Sequence, residues 1–219
     1  MTSITLSSPY TLGEEIANSV THGVGAVLSI AGLAVLTGFA VALGDSAHVV
    51  SCAIFGATLI LLYTASTLYH AIPQPRAKQV LRLIDHSAIF LLIAGTYTPF
   101  MLVSLDSGFG TTLCALIWFI AFAGIAAQGK LIRKAKWVNA ALYIAMGWVV
   151  VVAIKPLADS VAPGGLALLV AGGLSYTLGT VFYVWKKLPY HHAIWHLFVL
   201  AGSALHFFAV LFYVILLAA

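Results

Sequence analysis

The sequence predicts an all-α, polytopic membrane protein in which seven transmembrane helices form one bundle. The first observation is compositional: 62% of the 219 residues are hydrophobic, 7% are charged and the mean hydropathy is +1.07. A soluble chain of this length cannot bury so much apolar surface, whereas a membrane protein exposes it to lipid. The second observation is that the apolar residues form seven stretches, most of them near the ~20 residues that a spanning helix needs.

The seven stretches follow one another with short polar connections. They cover residues 20–43, 47–70, 84–104, 110–127, 137–154, 164–185 and 191–216. They predict a single domain over residues 1–219, in which residues 1–12 form a short flexible segment. The first stretch is too long for a cleavable signal peptide and has no basic flank before it. Thr11 and Glu14 match a capping box, so we expect the first helix to begin before its apolar part.

Basic residues predict the orientation of the bundle. Nine of the ten lysines and arginines fall in the loops after the second, fourth and sixth stretches, and only Lys155 falls on the other side. Positive loops remain in the cytoplasm, so we expect a multi-pass protein of the cell inner membrane with its N-terminus inside and its C-terminus outside. The nine residues are Arg76, Lys78, Arg82, Lys130, Arg133, Lys134, Lys136, Lys186 and Lys187.

The remaining composition excludes other classes of protein. A net charge of +4 is too small and too dispersed to indicate a nucleic-acid partner. The two cysteines, Cys52 and Cys114, lie inside the second and fourth predicted helices, which indicates buried free thiols rather than a disulfide framework.

Histidines gather at the predicted cytoplasmic ends of the helices. His192 and His196 are four residues apart, about one helical turn, so both side chains project from one face of the last helix. Ser66 and His70 have the same spacing on the second helix, and Asp85 opens the third stretch at the same depth. Six of the eight histidines lie at this end: His22, His70, His86, His191, His192 and His196.

This pattern indicates a metal site. Three histidines, His70, His192 and His196, leave one position of a tetrahedral zinc ion open, as in catalytic zinc sites. Asp85 is then placed to hold or deprotonate a water molecule in that position. Each histidine taken alone is more often a packing residue, and we expect that role for His86 and His191. The joint pattern on three helices favours the metal site.

A polar stripe on the first helix has two interpretations. Glu15, Asn18, Ser19 and His22 follow helical spacing on an otherwise apolar segment. The stripe either lies on the lipid headgroups as an interfacial amphipathic stretch or descends toward the histidines. In the second case Glu15 and His22 lie behind the ligands and are not ligands themselves.

Four stretches of the sequence resemble the bacterial hemolysin III family: EEIANSVTHGVGA, STLYHAIP, DHSAIFLLIAGTYTPF and HAIWHLFVLAGSALHF. The resemblance extends from about Thr11 to the end of the chain. This family is related to the adiponectin and progestin receptors and, more distantly, to alkaline ceramidases. The resemblance implies a zinc ion bound by one histidine of the second helix and two of the last, close to an aspartate and a serine. The matching positions here are His70, His192, His196, Asp85 and Ser66.

Three functions remain open on the sequence. The first is a zinc-dependent hydrolase of a membrane lipid amide or ester, in which Asp85 is the base and Ser66 steadies the oxyanion or the water. The second is a receptor-like regulator of membrane homeostasis with a structural zinc. The third, implied by the family's name, is a cytolytic pore former. A membrane lipid is the expected substrate or ligand.

Overall fold

The computed structural model describes residues 10–131 and 136–217, and all regular secondary structure within these ranges is helical. Seven helices of this described part are long and apolar enough to cross a membrane. The prediction of a multi-pass all-α protein is therefore confirmed. The predicted flexible segment, residues 1–12, lies mostly outside the described ranges and stays a prediction.

The helices follow one another with short connections. They are α1 (Leu12–Leu43), α2 (Ser46–Ala71), α3 (Pro75–Pro99), α4 (Gly108–Leu131), α5 (Lys136–Gly147), α6 (Ile154–Ser160), α7 (Pro163–Val184) and α8 (His191–Val210). Two π-helical segments, Phe100–Ser104 and Leu211–Leu216, extend α3 and α8, and a 3₁₀-helix, Trp148–Ala153, joins α5 to α6. The joined pair α5 and α6 forms the fifth of the seven spans.

Side-chain caps fix where the first two helices begin. Thr11 and Glu14 form the predicted capping box, so α1 begins at Leu12, before its apolar stretch. Asp45 caps α2 by accepting hydrogen bonds from the backbone N–H groups of Ala47 and His48. The hydrogen bond from the His48 side chain also lowers the pKa of the Asp45 carboxyl from its ordinary value.

The third span begins earlier than its apolar stretch predicts. It starts at Pro75 rather than at residue 84, so Arg76, Lys78 and Arg82 lie in the first turns of α3 and not in a loop. Proline is favoured at the first position of a helix, and lysine and arginine are good helix formers. Hydropathy alone therefore marks the membrane boundary and not the start of the helix.

Three other basic positions also belong to helices, and one of them, Lys136, is the first residue of α5. Lys155, which was expected on the side opposite the other basic residues, lies on α6 with Asp159, and the two form an exposed ion pair of 2.9 Å. Lys130 lies in the backbone of α4 rather than in the following loop. Arg133 and Lys134, which carry much of the predicted charge asymmetry, lie outside the described residues.

Two irregular segments adapt the helices to the bundle. The α-helical pattern of α3 ends at Pro99 and continues as a π-helix, as a proline inside a helix leads one to expect. In the fifth span, the 3₁₀-helix is held by the Tyr97 hydroxyl, which donates to Gly147 O at 2.7 Å and accepts from Val150 N at 2.7 Å.

The centre of the bundle is formed by α2, α3 and α8, which are the most buried spans. The first helix, by contrast, exposes apolar side chains such as Val20, Val24 and Val27, as a lipid-facing helix does. Cys52 and Cys114 are buried free thiols, as predicted. The most buried helices therefore include the three on which the candidate site residues were predicted.

Candidate metal centre

Three histidines from two helices come together inside the bundle. His70 lies in the last turn of α2, and His192 and His196 lie in the first two turns of α8. One ring nitrogen of each lies within 4.8 Å of the others, and all three side chains are buried. Their ring centroids are 4.6–5.2 Å apart. We call these three residues the histidine cluster; it can hold a metal ion.

Hydrogen bonds determine which ring nitrogens remain available. His70 Nδ1 lies 2.5 Å from Glu15 Oε2 and donates to this carboxylate, so His70 Nε2 is left with its lone pair. His196 Nδ1 lies 3.1 Å from the carbonyl oxygen of Asn18, which can only accept, so His196 Nε2 also keeps its lone pair. Histidines that bind metals are commonly oriented in this way through their second nitrogen.

The unpaired nitrogens test whether a metal fits. His70 Nε2 and His192 Nδ1 are fully buried, and neither has a hydrogen-bond partner in the described part of the chain. An unpaired polar atom in a protein interior is costly, so such atoms usually have a partner. Three neutral imidazoles suit zinc among the common biological metals. The donor set and its unpaired nitrogens therefore fit a zinc ion.

Glu15 links the cluster to a third helix. Its Oε1 forms a 2.7 Å ion pair with Lys78 Nζ, and its Oε2 accepts from His70. Lys78, on α3, also donates to the carbonyl oxygen of Tyr69 at 2.9 Å. The carboxylate thus bridges a cluster histidine and an ammonium group. One of the two interpretations of the sequence placed Glu15 behind a ligand. The sequence gave no signal for Lys78, because this contact depends on how α1 and α3 pack.

His22 packs against the cluster without joining it. Its ring is stacked on that of His196, with centroids 3.4 Å apart and planes 12° apart. Glu15, Asn18 and His22 are all buried, although one predicted alternative placed this stripe on the lipid headgroups. The structure places the stripe inside the bundle, beside His70 and His196.

Asp85 and Ser66 are buried beside the cluster. Asp85 lies on α3, and its Oδ2 is 3.3 Å from His86 Nδ1. Both Asp85 and Ser66 border an inner cavity that His192 and His196 also border. His86, for which a packing role was expected, is buried against Asp85 and borders the same cavity.

The cavity has a volume of about 190 Å³ and one polar end. That end is formed by the two α8 histidines with Ser66, Asp85 and His86. From this polar end the cavity extends between α3, the fifth span, α7 and α8. Most of this part is lined by apolar side chains, among them Ile93, Phe100, Leu157, Leu169, Val170 and Val199. A pocket with a few convergent polar groups and an apolar body suits a ligand with a hydrocarbon chain.

Tyr10, two residues before the first residue of α1, packs against the cluster. The Tyr10 ring is stacked on that of His192 with centroids 5.0 Å apart and lies 5.7 Å from that of His70. Burial raises the pKa of the Tyr10 hydroxyl well above its ordinary value, so it remains protonated. Sequence reasoning missed Tyr10, because it precedes the apolar stretch and belongs to no spaced pair.

The beginning of α1 is also tied to the beginning of α8. Glu14 Oε1 accepts a 3.0 Å hydrogen bond from the backbone N–H of Tyr190. Tyr190 has a φ of 56°, an uncommon conformation for a residue with a side chain, and it turns the chain into α8. The adjacent His191 donates from Nδ1 to the carbonyl oxygen of Phe182, a packing role in agreement with the prediction.

Known proteins resemble this chain over most of its length. The family described as "Haemolysin-III related" matches residues 10–207. "Hemolysin-3 homolog" of Bacillus subtilis (strain 168) is 48% identical over 204 residues, which cover 93% of this chain and 96% of that protein. "Hemolysin-3" of Bacillus cereus is 49% identical over 202 residues, 92% of each chain.

A human protein is a more distant relative. "Monocyte to macrophage differentiation factor" of Homo sapiens is 28% identical over 203 residues, which cover 90% of this chain and 83% of that protein. The matched region includes the helices that bear the histidine cluster, because nine tenths of the chain is aligned.

Proposed function

The chain belongs to the haemolysin-III-related family of membrane proteins and is more distantly related to the progestin and adiponectin receptors, and we propose that it is a zinc-dependent hydrolase of a membrane lipid. The bond hydrolysed is an amide or an ester. We also propose that residues 1–219 form one domain in the cell inner membrane and that the metal site lies toward its cytoplasmic side.

One observation carries this proposal. The histidine cluster, a carboxylate and a hydroxyl meet at the polar end of an apolar cavity inside a membrane-spanning bundle. A purely structural metal site needs neither a cavity nor a neighbouring carboxylate that does not bind the metal. A lipid hydrolase needs both, because the hydrocarbon chain must lie beside the group that is cleaved.

The residues of the site divide the chemistry between them. A zinc ion, when bound by His70, His192 and His196, polarises a carbonyl group and lowers the pKa of water. Asp85 accepts the proton of the attacking water and returns it to the amine or alcohol that leaves. Ser66 donates a hydrogen bond to the carbonyl oxygen as negative charge develops there. The products are a fatty acid and an amine or an alcohol.

The supporting residues hold these groups in place. Glu15 orients the His70 ring through Nδ1, and the backbone carbonyl of Asn18 does the same for His196. Tyr10 and His22 pack on the cluster and keep water from its sides. The apolar wall of the cavity excludes further water from the reacting bond.

Turnover in vesicles tests the proposal. The purified protein, loaded with zinc and reconstituted into vesicles that contain a ceramide or a fatty-acyl ester, should release fatty acid. Treatment with a chelator should stop the release, and added zinc should restore it, because the same folded protein loses and regains its metal. The absence of fatty-acid release from zinc-loaded, folded protein across both lipid classes would contradict the hydrolase proposal.

A receptor-like regulator with a structural zinc is the second candidate. The cluster joins α2 to α8, and Glu15 adds α1, so a metal at this position would fasten three helices together. On this alternative, zinc removal lowers the unfolding temperature and no lipid is cleaved. Measuring the unfolding temperature and fatty-acid release on the same zinc-free sample separates the two candidates.

A cytolytic pore former is the third candidate, and the names of the two bacterial relatives suggest it. A pore should release a dye from vesicles whether or not zinc is present. The hydrolase proposal predicts no dye release from intact vesicles that contain the wild-type protein.

Reporter fusions test the proposed orientation. A reporter fused after Ala219 should behave as periplasmic, and one inserted near Lys134 should behave as cytoplasmic, because positive loops remain inside. The reverse pattern would move the metal site to the outer side of the membrane.

A further inference from the structure

The deep end of the cavity contains a histidine that the proposed chemistry does not use. His206 lies on α8, ten residues after His196, which places it about 15 Å farther along the helix. It is 6% exposed and borders the cavity, whereas His192 and His196 of the cluster border its other end. A polar side chain in such apolar surroundings requires a hydrogen-bond partner.

Among the residues that the structure describes, only one ring nitrogen of His206 has such a partner. Nδ1 lies 2.7 Å from the carbonyl oxygen of Gly202 and must carry the hydrogen, because a carbonyl oxygen only accepts. Nε2 of the neutral ring is then an acceptor, and it has no hydrogen bond to any residue of the described ranges. Because the ring borders the cavity, this acceptor is available to a bound molecule.

The neighbouring helix holds the ring in this position. A Cβ atom at Gly172 of α7 would lie 2.4 Å from His206 Nδ1, so only glycine admits the ring there. The His206 ring is also stacked on the ring of Tyr176, with centroids 5.4 Å apart. The Tyr176 hydroxyl is hydrogen-bonded to Ser203 at 2.9 Å and so remains fixed. The acceptor is therefore built into the packing of α7 against α8.

We propose that His206 Nε2 accepts a hydrogen bond from a hydroxyl group on the hydrocarbon chain of the ligand. The preferred ligand is thus a lipid whose acyl chain carries a hydroxyl about 15 Å from the group held at the histidine cluster. The inference rests on the proposed function, because that function places the reacting end of the lipid at the histidine cluster and its chain along the cavity. A hydrogen bond to His206 would distinguish acyl chains with this hydroxyl from chains without it, which the histidine cluster cannot do.

Binding of two matched fatty acids tests this inference without any need for turnover. Ricinoleate and oleate have the same length and the same double bond, and ricinoleate adds one hydroxyl in the middle of its chain. Purified protein should bind ricinoleate roughly threefold to tenfold more tightly, the gain expected from one hydrogen bond between neutral groups. Equal affinities of the two acids for the wild-type protein would overturn the inference, and Nε2 would then serve only a water molecule.

Substitution of His206 assigns the preference to this residue. His206→Phe keeps a ring against Tyr176 but removes the acceptor, so oleate should bind as before while the preference for ricinoleate disappears. His206→Leu is the second variant, for use if the phenylalanine disturbs folding, and unchanged oleate binding confirms an intact cavity in either variant. A preference that survives in a variant with intact oleate binding would overturn the inference. The hydrolase proposal can fail in the vesicle assay while this preference remains, so the two failures are distinguishable.

Discussion

Two buried polar regions of this bundle, the histidine cluster and the surroundings of Tyr97, differ in how completely their hydrogen bonds are satisfied. In the histidine cluster, His70 Nε2 and His192 Nδ1 have no partner in the ranges that the structure describes. Around Tyr97, by contrast, one hydroxyl serves both Gly147 O and Val150 N. A fully satisfied network holds a fold together, whereas unpaired atoms at a site of converging donors indicate a missing ligand. In this bundle the candidate site is therefore marked by unpaired nitrogens on histidines that converge on one point, and not by buried polarity alone.

The largest expected effect comes from the carboxylate beside the cluster. Asp85→Asn keeps the shape of the side chain but removes its charge and basicity. We expect fatty-acid release to fall about 10²–10⁴-fold, the usual cost of losing a general base, while zinc is largely retained because Asp85 is not a ligand. Fatty-acid release and metal content measured on the same preparation check both parts.

Asp45→Asn is the control for this prediction, because Asp45 is an exposed capping residue at a distance from the cavity. Full activity in Asp85→Asn would show that Asp85 has no catalytic part. Parallel loss of zinc and thermal stability, without any activity to lose, would favour the structural role of the metal.

An intermediate effect is expected from the groups that orient the cluster. Glu15→Gln weakens the hydrogen bond to His70 and breaks the ion pair with Lys78, so zinc affinity should fall about 10–100-fold, as at other metal sites whose orienting groups are changed. Lys78→Met should act in the same direction with a smaller effect. Competition with a chelator of known affinity measures the change.

Glu14→Gln is the matched control for Glu15→Gln. Glu14 is the neighbouring acid on the same turn, but its carboxylate accepts from Thr11 and Tyr190 and does not contact the cluster histidines. Equal losses of zinc affinity in the two variants would show that the effect belongs to the start of α1 and not to the orientation of His70.

The smallest effect on the metal is expected in the satisfied region. Tyr97→Phe leaves Val150 N and Gly147 O without their partner, so the free energy of unfolding should fall by about 1–3 kcal/mol while zinc content does not change. Thermal unfolding in detergent, with metal analysis of the same sample, measures both. Tyr213→Phe is the control, since no hydrogen bond of the Tyr213 hydroxyl occurs within the described ranges. A loss of zinc in Tyr97→Phe would remove the distinction between the two regions.

The sequence predicted the spans and much of the site because both follow local rules. Apolar runs locate membrane-crossing segments, and turn spacing places His192 beside His196 and Ser66 beside His70 on one helix face. The start of α3 at Pro75 was not predicted, because basic residues extend a helix beyond the membrane without adding hydropathy.

Contacts between helices were less accessible to sequence reasoning. Tyr10 stacks on His192, and Lys78 reaches Glu15, only because α1, α3 and α8 pack together at one end of the bundle. No spacing rule relates residues so far apart in the chain. The contact between His70 and the two α8 histidines was expected, because all three were predicted at the same depth in the membrane. That depth followed from the orientation that the basic residues indicate.

Metal analysis of the detergent-purified protein tests the central claim most directly, namely that His70, His192 and His196 form a zinc site. The wild-type protein should carry about one zinc ion per chain, and His192→Ala and His196→Ala should each lose most of it, because two imidazoles are too few to hold the ion. His48→Ala, a histidine that caps α2 away from the cluster, should keep it. Full zinc retention in both α8 variants would contradict the account.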